Sequence, residues 1–212
     1  MAVIYRGGIE IRKVNTGPYD NNCYVIVCPR TLESVIVDTP AEPEKVLAEA
    51  HGTKVKAVLM THCHMDHVLG HREVKAATGA PVWVHKSEAD QLPLPPEHLF
   101  QHEGSITFGD ITLRTIHVPG HTTGGTSLLW GKHLFSGDTL FPNGPGRTQS
   151  PGELDQLIHS ISTKLIPLPD ATAVYPGHGD FTVLSKEKER LDQFLARPRD
   201  PGLYGDITWT LR

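Results

Sequence analysis

Cysteine is scarce in this chain. Cys23, Cys28 and Cys63 are the only three in 212 residues, an odd and sparse set that excludes a disulfide framework and reads as reduced thiols. A strong charge of either sign is also missing. The 24 acidic and 20 basic residues leave a formal charge of -4. They are scattered along the chain, so neither nucleic acid nor an anionic membrane finds an electrostatic footprint. The stretch Met1 to Val14 carries Arg6, Glu10, Arg12 and Lys13 and lacks the apolar run of a signal peptide or spanning helix. A cytoplasmic protein is the expectation. What remains, at 38% hydrophobic and 21% charged residues, is an ordinary globular composition with no sign of disorder or fibrous repeats. The length suits one domain over residues 1–212, acting on a small molecule.

Short apolar stretches bounded by turn residues predict strands at Ile9 to Val14, Cys23 to Val27, Val35 to Val37 and Val55 to Met60. A helix is predicted over Pro43 to Ala50, with proline in its first turn and Gly52 beyond its end, and another over Leu69 to Ala77, closed by Gly79. The prolines at 93, 95 and 96 make Leu92 to His98 a surface connection. A short strand at Val82 to Val84 precedes that connection, and a second run of strands follows it at Ile106 to Phe108, Ile111 to Val118, Ser127 to Trp130 and His133 to Phe135, with a further strand at Ala171 to Tyr175. Hairpin turns fall at Gly109-Asp110 and Gly131-Lys132. Helices are predicted at Glu153 to Leu165 and Ser185 to Leu195. Two strand-rich halves, each carrying helices, predict an α/β protein built as an αββα four-layer sandwich.

Histidine is the residue in excess, with 13 in the chain. Thr61-His62-Cys63-His64-Met65-Asp66-His67 places three imidazoles and a carboxylate in one polar stretch directly after a predicted buried strand. A lone histidine more often serves structure, but four such groups together suit zinc or another first-row metal. His121, Asp138 and His178 each sit in a glycine-bracketed turn after a predicted strand, where glycine lets the backbone turn and the side chain project. Cys63, between two candidate ligands, reads as packing. His51, His71, His85, His98, His102, His117, His133 and His159 lack this bracketing and read as surface or structural.

The pattern His-x-His-x-Asp-His, followed in order by separate His, Asp and His turns, resembles the metallo-β-lactamase superfamily. Thr61-His62, Val118 to Thr122, Gly137 to Phe141 and Gly144 to Arg147 resemble its glyoxalase II (hydroxyacylglutathione hydrolase) branch. The resemblance implies a metallo-β-lactamase fold and two divalent ions, zinc first, with iron or manganese as alternatives. It implies that His62, His64 and His121 hold one ion, that Asp66, His67 and His178 hold the other, and that Asp138 bridges them. Hydroxide bound to both metals would then cleave a thioester or related ester, with Asp66 as the catalytic residue that orients it and accepts its proton. Thr61, Thr122 and Thr139 are candidates for fixing the imidazoles, and Arg147 either meets an anionic substrate group or anchors its loop. Two rival activities share the scaffold: a mononuclear-iron persulfide dioxygenase using the residues at His62, His121 and Asp138, and a lactone or β-lactam hydrolase.

Overall fold

A computed structural model describes residues 2–101 and 103–210. His102 lies outside the described residues. The chain divides into two compact units, Met1–Thr115 and Ile116–Arg212.

The first unit is built on a seven-stranded sheet in simple sequence order: β1 (Ala2–Arg6), β2 (Glu10–Thr16), β3 (Asn21–Val27), β4 (Glu33–Val37), β5 (Lys54–Leu59), β6 (Val82–His85) and β7 (His98–Phe100). The first four strands pair antiparallel through short turns. From β4 onward the pairing is parallel, which requires crossovers, and helices supply them. The helix α1 (Pro43–Ala50) joins β4 to β5, while α2 (Met65–Val68) and α3 (His71–Thr78) join β5 to β6. Val25, Ile36, Val58 and Val82 of the sheet pack with Val46 and Ala50 of α1 and Val74 of α3 in one buried cluster. Each valine or isoleucine among them contributes about 1.5–3 kcal/mol by leaving water. The hairpin strands β8 (Glu103–Phe108) and β9 (Ile111–His117) follow, turned by Gly109 at φ +52.

The second unit orders its strands β15-β14-β11-β10, where β10 is Thr126–Trp130, β11 His133–Gly137, β14 Ala173–Pro176 and β15 Thr182–Val183. β11 and β14 run parallel, and α4 (Pro151–Ser160) lies in the crossover between them. The small hairpin β12 (Leu140–Phe141) and β13 (Gly144–Pro145) precedes that helix. Leu134 and Val174 of the strands pack with Leu154, Leu157 and Ile158 of α4 and with Leu184, Leu191 and Phe194 of α5 (Leu184–Leu195). Trp209 closes this core from the C-terminal segment.

Both units are therefore sheets flanked by helices, the mixed α/β class expected. Two predicted helices differ in extent. The one expected from Leu69 begins at His71, because Thr39 O accepts the Gly70 N–H and an added Cβ at Gly70 would strike Pro40 O. The one expected to run unbroken to Leu165 is regular only to Ser160 and continues over Ile161–Leu165 as a wider π turn. His98 opens β7 instead of closing the proline-rich connection.

Candidate metal centre

Within the first unit, four of the seven expected ligands come together. The chain leaves β5 at Leu59, bends at Thr61, and enters α2 with His64 at the N-cap position and Asp66 and His67 in the helix. The His62 ring lies 4.9 Å from that of His64 and 4.1 Å from that of His67. His67 Nε2 is 3.6 Å from Asp66 Oδ2.

One carboxylate that sequence reasoning missed organises this cluster. Asp38 follows β4 directly, fully buried, at φ +60. Its Oδ1 accepts the Thr61 N–H at 2.7 Å, and its Oδ2 accepts the Thr61 hydroxyl at 2.7 Å and His67 Nδ1–H at 3.0 Å. Because the Thr61 hydroxyl donates to Asp38, its oxygen accepts from His62 Nδ1 at 3.1 Å. Asp38 thus sets the tautomer of two candidate ligands, one directly and one through Thr61. Asp38, His62 and His67 offer ligand-type atoms within 4.8 Å of one another. Asn21, buried at the start of β3, donates from Nδ2 to Asp66 Oδ2 at 2.8 Å. Glu88, also buried, accepts the Cys63 N–H at 3.0 Å. Cys63 itself is buried in the apolar cluster, as expected, and burial raises its thiol pKa well above the ordinary range.

Within the second unit the other three expected ligands come together. Asp138 Oδ2 lies 3.6 Å from His121 Nε2 and 3.3 Å from His178 Nε2. His121 Nδ1–H donates to Arg147 O at 2.7 Å. The threonine expected nearby, Thr122, has a buried hydroxyl with no hydrogen-bond partner among the described residues; the Arg147 carbonyl does the orienting. Two glycines are required by close approach. A Cβ at Gly146 would overlap Asp138 O and crowd His121 Nδ1, and one at Gly120, at φ +141, would overlap the Leu157 backbone of α4. Ser160 of α4 also donates to Pro119 O at 2.7 Å, so the His121 turn is docked on that helix at two points.

A second buried carboxylate, Glu187 of α5, ties the chain after Asp138 to the chain after His178. It accepts the Asn143 N–H at 2.9 Å, the Thr182 hydroxyl at 2.7 Å and Arg190 Nη1 at 2.8 Å. Nothing in the sequence distinguishes it from the surface charges of α5. Of the other histidines, His71 is buried with neither ring nitrogen hydrogen-bonded among the described residues. Burial lowers its pKa and keeps it neutral. His117 Nε2 meets Thr123 O at 2.9 Å.

The donor chemistry fits divalent metal. His62, His67 and His121 each commit Nδ1–H to a protein oxygen, which leaves Nε2 as the lone-pair nitrogen, the form a metal takes. Carboxylates and imidazoles in this combination suit first-row ions.

These features define a mixed α/β protein carrying His/Asp clusters for divalent ions. A family model, the metallo-beta-lactamase superfamily, matches residues 16–178, and the chain belongs to that superfamily. It is 33% identical over 210 residues to hydroxyacylglutathione hydrolase GloC of Haemophilus influenzae, covering 88% of this chain and 97% of that protein. Among solved structures, ETHE1 from Myxococcus xanthus aligns with TM-score 0.80 at 27% identity, over 90% of this chain and 87% of that one. TTHA1623, solved in a di-iron-bound form, aligns with TM-score 0.72 at 33% identity, over 84% and 96%. The protein is a metallo-hydrolase of this superfamily.

Proposed function

We propose that this chain hydrolyses a thioester, as a hydrolase of the glyoxalase II type. The observation that carries the reading is the fixed tautomer of three imidazoles in a chain whose relative over nearly its full length bears the name hydroxyacylglutathione hydrolase. In the ligand set that the family pattern implies, His62, His64 and His121 would hold one divalent ion, Asp66, His67 and His178 would hold a second, and Asp138 would serve both. When bound, such ions lower the pKa of a coordinated water toward neutrality and polarise a carbonyl. Zinc is the first expectation, with iron or manganese as alternatives.

The protein's own groups do the positioning and move the proton. Asp38 anchors His67, and His62 through Thr61, while the Arg147 carbonyl anchors His121. Asp66, steered by Asn21, orients the attacking water and accepts its proton. The water oxygen adds to the thioester carbonyl carbon, the C–S bond breaks, and the leaving thiolate takes up the proton. The products are a carboxylic acid and a thiol.

A second reading, a mononuclear-iron persulfide dioxygenase, draws support from the likeness to ETHE1. A lactone or β-lactam hydrolase would use the same groups on a different carbonyl. Elemental analysis of protein purified without added metal, paired with assays on a glutathione thioester and a glutathione persulfide, separates the first two. About two ions per chain with thioester cleavage supports the hydrolase; one iron with oxygen uptake on the persulfide overturns it. Asp66→Ala is expected to abolish turnover and loosen one metal while the fold persists. Near-normal activity in that variant would refute the mechanism.

A further inference from the structure

The His121 turn forms one wall of a cleft of about 310 Å³ whose opposite wall is the first turn and a half of α4. Pro119 and Gly120 line one side, beside Thr122 and Thr123. Gly152, Glu153 and Gln156 line the other. The volume is at the lower end of the roughly 300–1,000 Å³ of small-molecule sites, enough for a chain of several carbons or a ring.

The charge of the lining decides which end of a thioester fits. No lysine or arginine is among the lining residues, and the one charged group is Glu153. Its Oε2 accepts the Gln149 N–H at 2.6 Å while its own N–H is capped by Ser150 Oγ at 3.3 Å, so the carboxylate is fixed beside the cleft. A thiol partner bearing carboxylates would meet this fixed anion with no lysine or arginine in the lining to offset it. An uncharged acyl chain meets proline, glycine, threonine and glutamine residues. We propose that the cleft receives the acyl group of the thioester, beside the candidate ligand His121, and selects acyl groups that carry no negative charge. This inference rests on the thioesterase reading above.

Gly152 offers a direct test. It is the second residue of α4, and an added Cβ there meets nothing within 4 Å, so a larger side chain grows into open space. The first readout is kcat/KM for acetyl- and hexanoyl-glutathione in the wild type, Gly152→Leu and Gly152→Ala. Gly152→Leu is expected to lower the hexanoyl-to-acetyl ratio at least tenfold, with Gly152→Ala between. Gln156→Trp, from an exposed position one turn further along, is expected to lower the same ratio and covers the case in which Gly152→Leu does not fold.

The second readout needs no turnover. Binding of S-methyl to S-hexyl glutathione thioethers to metal-free protein is measured by calorimetry. Affinity is expected to rise with chain length in the wild type and to stay flat in Gly152→Leu. Identical length dependence in both proteins, or none in the wild type, overturns the cleft assignment even where thioesters are cleaved. If the wild type cleaves no thioester yet the thioether pattern holds, the hydrolase reading fails and the cleft assignment stands.

Discussion

Asp38 shows how much one residue can carry. Two carboxylate oxygens receive three hydrogen bonds, two from Thr61 and one from His67, and the residue holds the left-handed backbone region that a side chain seldom takes. Asp38→Asn keeps the shape but turns an acceptor into a donor facing either the Thr61 N–H, at the Oδ1 position, or both the Thr61 hydroxyl and His67 Nδ1, at the Oδ2 position. The expected result is a metal affinity lower by roughly 10–100-fold and a stability loss of about 1–3 kcal/mol for the unsatisfied buried donor. Metal titration of stripped protein and urea unfolding check the two separately, and unaltered metal affinity would show that Asp38 does not orient the ligands. The seven ligand candidates were legible in the sequence because glycines and alternating histidines mark them. Asp38, Asn21 and Glu187 were not, because each acts across a gap in the chain. Asp38 meets Thr61 23 residues on, Asn21 meets Asp66 45 residues on, and Glu187 meets Asn143 44 residues back. A carboxylate just after a buried strand was the one available signal, and Asp38 alone carried it.

Among the elements, the strands with strong β-branched runs and the helix Pro43–Ala50 were read correctly from periodicity and end signals. The strands β1, β7, β12, β13 and β15 were not read. Four of them are three residues or shorter, too short to show a period, whereas β1, AVIYR, does carry a β-branched and aromatic run and was passed over beside the charges that follow it. The helix α4 has a function that its amphipathic pattern hides, since it is the platform under the His121 turn. Gly120 is where turn and helix touch. Gly120→Ala is expected to cost about 2 kcal/mol or more, from backbone overlap with Leu157 and from a φ that alanine avoids. Gly152→Ala on the same helix, where the added methyl is unopposed, should instead be neutral or stabilising by up to about 1 kcal/mol. Denaturation midpoints of the pair check the contrast; equal midpoints would mean that the turn is not docked on α4.

For the molecule as a whole, each unit holds its own core and its own share of the candidate ligands. No helix among the described residues is long and apolar enough to cross a membrane. Ions bound by the folded chain alone stabilise it by mass action, by about 2.7 kcal/mol at a hundredfold excess over the dissociation constant. Chelation followed by dialysis is therefore expected to lower Tm by several degrees, with recovery on adding back the metal found by elemental analysis. A Tm indifferent to both treatments would mean that no metal is tightly held. The burial of all three cysteines has a consequence of a different kind. An enzyme that liberates a thiol works in a pool of that thiol and its oxidised dimer, and an accessible cysteinyl sulfur would be captured as a mixed disulfide. Cys23, Cys28 and Cys63 are each no more than 5% exposed, so if the product is a thiol, as proposed, the protein offers it no accessible cysteine sulfur.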